Sequence, residues 1–186
     1  MARYCTSKEA VAFDKYARLA KIGIVEIGVL DGETTAAFAK SNPKIPVYGI
    51  DPIVADSMDF TLIGSIGRIK NNLMTCPNAV FINNYSYNVV CGWNKPFDFI
   101  FIDGDHTYPA VKTDFFDWYP LLSNGGIMAI HDSAPVQGSF QGWPGPTRLV
   151  KEIREHNLVE YLETVDNTTY FKKHDVKGIN HYDWSV

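Results

Sequence analysis

Carboxylates and imidazoles gather at two points in this chain, Asp103-Gly104-Asp105-His106 and His131-Asp132. These are the side chains of proton transfer and ligand binding. Two further acids, Glu26 and Asp51, stand within or directly after short apolar runs. Such groups act together only if the fold delivers them to one place, so the flanking residues decide the matter. Phe97 to Ile102 is a nearly continuous apolar run ending at Asp103. A run that apolar and that short reads as a strand covered on both faces. In open α/β sheets ligands bind beyond the carboxyl ends of the strands, which is where these acids and His106 emerge.

The surrounding sequence predicts the elements that would position them. Thr6 or Ser7 can cap a helix over Lys8–Leu19, with Val11, Tyr16 and Leu19 among its apolar positions. Strands are expected at Ile22–Ile27, Val47–Ile50, Ala79–Ile82, Phe97–Ile102 and Gly126–Ile130. Helices are expected at Glu33–Lys40, Ser86–Gly92, Pro109–Leu122 and Thr147–Glu155, with a weaker helical spacing over Ser57–Leu73. Tyr108, Val111, Phe115 and Trp118 read as helix start and core. A Gly/Pro/Gln loop, Ser133–Pro146, is long enough to be a lid and carries Trp143, which could meet a substrate or anchor the loop. Val159–Thr164 and Thr168–Lys172 read as a closing hairpin. Strands alternating with helices imply a mainly parallel, doubly wound sheet; with the hairpin it has seven strands and an antiparallel edge. Residues 1–175 are expected to form a single domain and 176–186 a polar tail.

The chain has 186 residues, 46% hydrophobic and 20% charged, enough for one domain with a sizeable core. A net charge of −4 gives no electrostatic reason to expect nucleic acid as partner. No stretch is apolar for long enough to span a bilayer, and the first residues lack the apolar core of a signal peptide. Cys5, Cys76 and Cys91 have no metal-ligand spacing and suit a reduced, cytoplasmic setting.

The first strand runs into Val25-Glu26-Ile27-Gly28-Val29-Leu30-Asp31-Gly32-Glu33-Thr34-Thr35. Glycines at a strand-to-helix turn allow close approach of a ligand, and the helix start offers free N–H groups. The same glycines could merely make a tight turn. The three-glycine dinucleotide fingerprint is absent, and a carboxylate at Glu26 suits a cationic amine better than pyrophosphate. Asp51 after the second strand could accept both hydroxyls of a ribose, or simply form an Asx-Pro turn.

Glu26-x-Gly28-x-x-x-Gly32-x-Thr34, Gly49-Ile50-Asp51-Pro52 and Phe97-Asp98-Phe99-Ile100-Phe101-Ile102-Asp103-Gly104-Asp105-His106-x-Tyr108 together resemble the motifs of class I S-adenosylmethionine-dependent methyltransferases. The pattern is similar to the small, metal-dependent catechol and macrolide-sugar O-methyltransferases, over roughly Ile22–Lys172, with a Rossmann-like sheet. Leu30 departs from it, standing where many methyltransferases carry a third glycine. The resemblance implies that Glu26, Gly28 and Gly32 hold the methionine end of S-adenosylmethionine. Thr34 would contact its carboxylate, Asp51 the ribose and Ser86 the adenine side, with Asp103 also at the cofactor. It further implies a divalent cation at Asp103, His131 and Asp132, which end adjacent strands 28 and 29 positions apart. An all-oxygen set suits Mg²⁺, whereas the imidazole of His131 favours Mn²⁺, Fe²⁺ or Zn²⁺. The alternatives are that His131 points away, or that no metal binds and Asp103 serves the backbone.

His106 takes the place of a general base, with a helix-start cap as the plain alternative, and Asp105 has no assigned role. The implied activity is methylation of a hydroxyl on a small molecule. The N-terminal helix, the Asp51–Ile69 segment, the lid or a neighbouring subunit of a homo-oligomer would recognise that molecule. A nucleotide-binding oxidoreductase and a non-catalytic binding module are the competing functions on such a sheet.

Overall fold

Apolar runs too short for helices become the centre of the sheet. In a computed structural model describing residues 5–134, 142–155 and 159–174, the strands are β1 (Ile24–Ile27), β2 (Val47–Ile50), β3 (Ala79–Ile82), β4 (Phe99–Ile102), β5 (Ile127–Ile130), β6 (Val159–Val165) and β7 (Thr168–Lys173). Their order is β3-β2-β1-β4-β5-β7-β6, with β5–β7 and β6–β7 antiparallel and the other pairs parallel. Every residue of β1, β2, β4 and β5 is buried, as strands with a helix layer on each face require.

The helices are α1 (Ser7–Ala17), α2 (Glu33–Ser41), α3 (Ile66–Leu73), α4 (Ser86–Val90), α5 (Tyr108–Trp118), followed by a 3₁₀ turn, and α6 (Pro144–Glu155). The two layers have separate cores. Phe13, Tyr16 and Phe38 of α1 and α2 pack with Phe99 and Phe101 on one face. Val111, Phe115, Trp118, Leu149 and Ile153 of α5 and α6 pack with Ile100 and Ile102 on the other. The α1 spacing resolves differently from the sequence expectation. Ala12, Phe13, Tyr16 and Ala17 form the buried stripe, while Val11 and Leu19 face solvent at 70% and 54% exposure. The weak Ser57–Leu73 pattern becomes a helix only from Ile66, because Ile69 alone in that helix is buried and Phe60 and Ile63 remain exposed. Of the expected lid, residues 135–141 lie outside the described residues, as does the expected tail.

The register is what positions the chemistry. Ile27 pairs with Ile50 and with Ile102, and Ile102 pairs with Ile130. The strand ends are therefore level, and the next residues, Gly28, Asp51, Asp103 and His131, leave the sheet in one row.

Candidate active site

That row forms the floor of a cavity of about 1050 Å³, walled by the β1–α2 turn, the segment after β2, the start of α4, the β4–α5 turn and Trp143. Such a volume suits a cofactor-sized ligand.

At the β1 turn, Gly28 has φ +85°, and a Cβ there would lie 1.9 Å from the Asp103 carbonyl oxygen. The close approach that demands glycine is thus made by strand β4. Leu30 also has positive φ, as does the β-branched Ile53. Asp51 braces both: Oδ2 accepts the Val29 and Leu30 N–H at 2.8 and 2.9 Å, and Oδ1 accepts that of Ile53 at 2.6 Å. Three backbone N–H groups thus occupy most of the roughly four acceptor positions of the Asp51 carboxylate, which forms the Asx turn given as the alternative to a ribose contact and leaves an acceptor position open toward the cavity. Glu26 is buried and accepts the hydroxyl of Thr35, the neighbour of the expected Thr34; Thr34 itself lines the cavity. Burial pushes the Glu26 carboxyl well above the usual range; the Thr35 bond opposes this, and the charges of Asp103 and Asp51 add to it. At the far wall Ser86 donates to the buried Asp114 carboxyl. Burial raises Asp114 to about 7, against the Ser86 bond and helped by Asp117 and Asp105.

At the other end of the row the structure brings His131, Asp103 and Asp132 together. His131 Nδ1 lies 2.9 Å from Asp103 Oδ1 and 3.3 Å from Asp132 Oδ2, so its ring points into the cluster. Its Nε2 is buried without an ordinary hydrogen bond and faces Glu9 Oε1 at 3.5 Å. His106 Nε2 stands 3.0 Å from Asp132 Oδ2 and 3.8 Å from Asp103 Oδ1, while its Nδ1 is 2.8 Å from Asp56 Oδ2. Trp143 stacks on the His106 ring at 4.9 Å, and its backbone N–H donates to the Asp132 carbonyl, so this tryptophan acts as a loop anchor. Asn167, in the β6–β7 turn, donates its amide to Asp132 Oδ1. Asp105 caps its own turn through Thr107 and holds the Ser57 N–H.

Burial opposes charge on both imidazoles, but the carboxylates overcome it. Asp103, Asp132 and Asp56 raise His106 to about 10, and Asp103, Asp132 and Glu9 hold His131 well above its ordinary value. Burial works against the charges of Asp103 and Asp132 as well, and the two histidines nonetheless keep both below the usual carboxylate range. Glu9, Asp56, Asp103 and Asp132 are four acids facing two imidazoles. This excess of negative charge in a largely buried place calls for a cation. Asp103, His131 and Asp132 each offer one donor atom, all within 4.8 Å of one another. A ligating histidine usually presents its second nitrogen to a carboxylate, as His131 does to Glu9. The residues therefore fit a divalent cation.

Glu9, Asp56, Asn167 and Asp114 join the site without a functional signal in the sequence. Glu9 forms a capping box with Thr6 at the start of α1. Asp56 and Asn167 look like turn residues, and Asp114 looks like the polar face of a helix. Their types carry no further signal without the fold.

Parallel strands with level ends, helices on both faces and acids delivered to one cavity define an α/β fold of the class that takes ligands at the carboxyl edge of the sheet. The chain belongs to the methyltransferase-domain family, whose model matches residues 25–133, more than half of its length. Among curated proteins it is 27% identical, over 142 residues, to uncharacterized protein R132 of Acanthamoeba polyphaga mimivirus. That match covers 74% of this chain and 63% of the viral protein, so the chain spans less than two thirds of that relative. Among solved structures, the O-methyltransferase TomG of Streptomyces achromogenes, crystallised with S-adenosylmethionine, has the same fold. It aligns with a TM-score of 0.65 at 16% identity, over 91% of this chain and 81% of TomG. CalS11, a TDP-rhamnose 3'-O-methyltransferase of calicheamicin biosynthesis, aligns with a TM-score of 0.62 at 15% identity, over 88% of this chain and 76% of CalS11. Among the described residues no helix is long and apolar enough to cross a membrane.

Proposed function

We propose that this methyltransferase moves the methyl group of S-adenosylmethionine to a hydroxyl of a small molecule. One observation carries the reading: the level ends of β1, β2, β4 and β5 bring Glu26, Asp51, Asp103, His106 and Asp132 to a single cavity in a chain of this family. Glu26 would take the donor's ammonium group, which restores the charge that burial suppresses. The uncapped start of α2 at Gly32 and Thr34 would meet the carboxylate. Asp51 would accept one ribose hydroxyl, and Ser86 with Asp114 would flank the base.

The acceptor oxygen attacks the sulfonium methyl carbon. A C–O bond forms, the C–S bond breaks, and its electron pair stays on sulfur to give the thioether. His106 Nε2 takes the hydroxyl proton. Asp103, His131 and Asp132 would hold a divalent cation that lowers the acceptor's pKa and fixes its position. Asp103 and Asp132, two of the three carboxylates that hold His106 protonated, are also those that would bind the cation, and engaging them would weaken the hold on the Nε2 proton while Asp56 keeps its place at Nδ1. Val54, Ala55 and Leu62 give the segment after β2 apolar surface on the cavity side, suited to an acceptor with an apolar body. Family membership leaves the hydride-transfer reading without support.

The test is calorimetric titration with S-adenosylmethionine, followed by transfer of its labelled methyl group to a panel of catechols and sugars with Mn²⁺ or Mg²⁺. Donor binding in the micromolar range and methylation that stops with chelator are expected. No donor binding refutes the proposal.

A further inference from the structure

Asp56 is the residue that the proposed chemistry leaves unused and the geometry does not. It lies after β2, in the segment between Asp51 and Ser65, and is 9% exposed. One carboxylate oxygen, Oδ1, accepts the N–H groups of Met58 and Asp59 at 2.7 and 2.9 Å, so the acid is braced by its own loop. The other, Oδ2, accepts the backbone N–H of His106 at 2.9 Å and meets ring Nδ1 of the same residue at 2.8 Å. Two bonds from one oxygen to one residue fix both where the imidazole sits and how it is rotated. Trp143 closes a face of the ring, which leaves Nε2 directed at Asp132 and Asp103.

We infer that Asp56 is a positioning residue that keeps the proton on Nδ1 of His106 and so reserves Nε2 as the acceptor of the substrate proton. A base oriented in this way by a third group is the general design of activated hydroxyl chemistry. The inference rests on the methyl-transfer reading for what the base does, though not for the bond itself. It also makes the segment after β2 part of the catalytic apparatus: the base is correctly oriented only while that segment is closed on the β4–α5 turn.

The test joins spectroscopy to kinetics on the full chain. With ¹⁵N-histidine labelling, the wild-type protein should show a far-downfield, exchange-protected Nδ1–H resonance from His106, lost or moved upfield in Asp56→Asn. Asp56→Asn should lower kcat about a hundredfold, within the range a general base contributes, and leave donor KM within twofold. In a His106→Ala background it should cause no further loss, because groups acting as a unit are not additive. Absence of the resonance in the wild-type protein overturns the inference and needs no variant, so it decides even if Asp56→Asn fails to fold. An unchanged kcat, or an undiminished Asp56→Asn effect without His106, overturns it too. A protein that binds the donor but methylates no hydroxyl refutes the functional proposal instead, and the resonance still decides the Asp56–His106 pair.

Discussion

Replacing Asp114 by asparagine should stabilise the protein, and should do so more at alkaline than at acid pH. Burial raises the carboxyl from 3.8 to about 7. In the unfolded chain the group ionises near its ordinary value; in the fold it keeps its proton up to about 7. Between those values the folded state holds more protons than the unfolded one, so stability falls as pH rises. At ~1.36 kcal/mol per pH unit, the penalty is about 1.6 kcal/mol at pH 5 and about 4 kcal/mol at pH 8.5. Asparagine is nearly isosteric, carries no charge, and can still accept the Ser86 hydroxyl through Oδ1. The gain from Asp114→Asn should therefore be larger at pH 8.5 than at pH 5 by about 2–3 kcal/mol, or roughly 4–12 °C in Tm for a chain of this size. Scanning calorimetry of both proteins at the two pH values measures it. Equal Tm changes at both pH values, or a loss at pH 8.5, would refute the claim that a buried charge is being suppressed there.

His106 should produce a second, separate pH window. Its folded value is raised to about 10, so its stabilising contribution is complete below its ordinary value near 6.5 and is lost as pH climbs to about 10. Metal-free protein should lose a few kcal/mol across that window, and urea titrations of His106→Gln should show a flatter profile. Gly28→Ala should be among the most damaging single changes, since a Cβ meets the Asp103 carbonyl oxygen at 1.9 Å and φ is +85°. A loss above about 4 kcal/mol is expected, and a soluble variant with an unchanged urea midpoint would contradict it.

The central strands were legible because burial on both faces leaves apolar runs such as Phe99–Ile102, and because each ends at a glycine, an acid or a histidine. The row of Gly28, Asp51, Asp103 and His131 follows from those endings once the strands are parallel. Two things were out of reach. Helix faces depend on what packs against them, and Val11 and Ala12 of α1 could not be ranked by hydrophobicity alone: the larger residue is outside and the smaller inside. The acids that orient the histidines reach them from far along the chain, Glu9 from 122 positions before His131 and Asp56 from 50 before His106. Locally each has a sufficient explanation as a cap or a turn. Asp51 shows the reverse case: its motif suggested a ligand contact, and three backbone N–H groups occupy most of its capacity.

The β6–β7 turn does more than close a hairpin. Thr6 donates to Asp166 across 160 residues, Thr168 donates to Glu9 across 159, and Asn167 donates to Asp132. The carboxylate that faces His131 and the amide that steadies Asp132 are thus tied to each other by the earliest helix and the last strands described. Contacts of such sequence separation are slow to form. The carboxylate that faces His131 and the carboxylate that faces His106 both depend on one two-strand turn, and undoing it would loosen the two sides of the acidic cluster together.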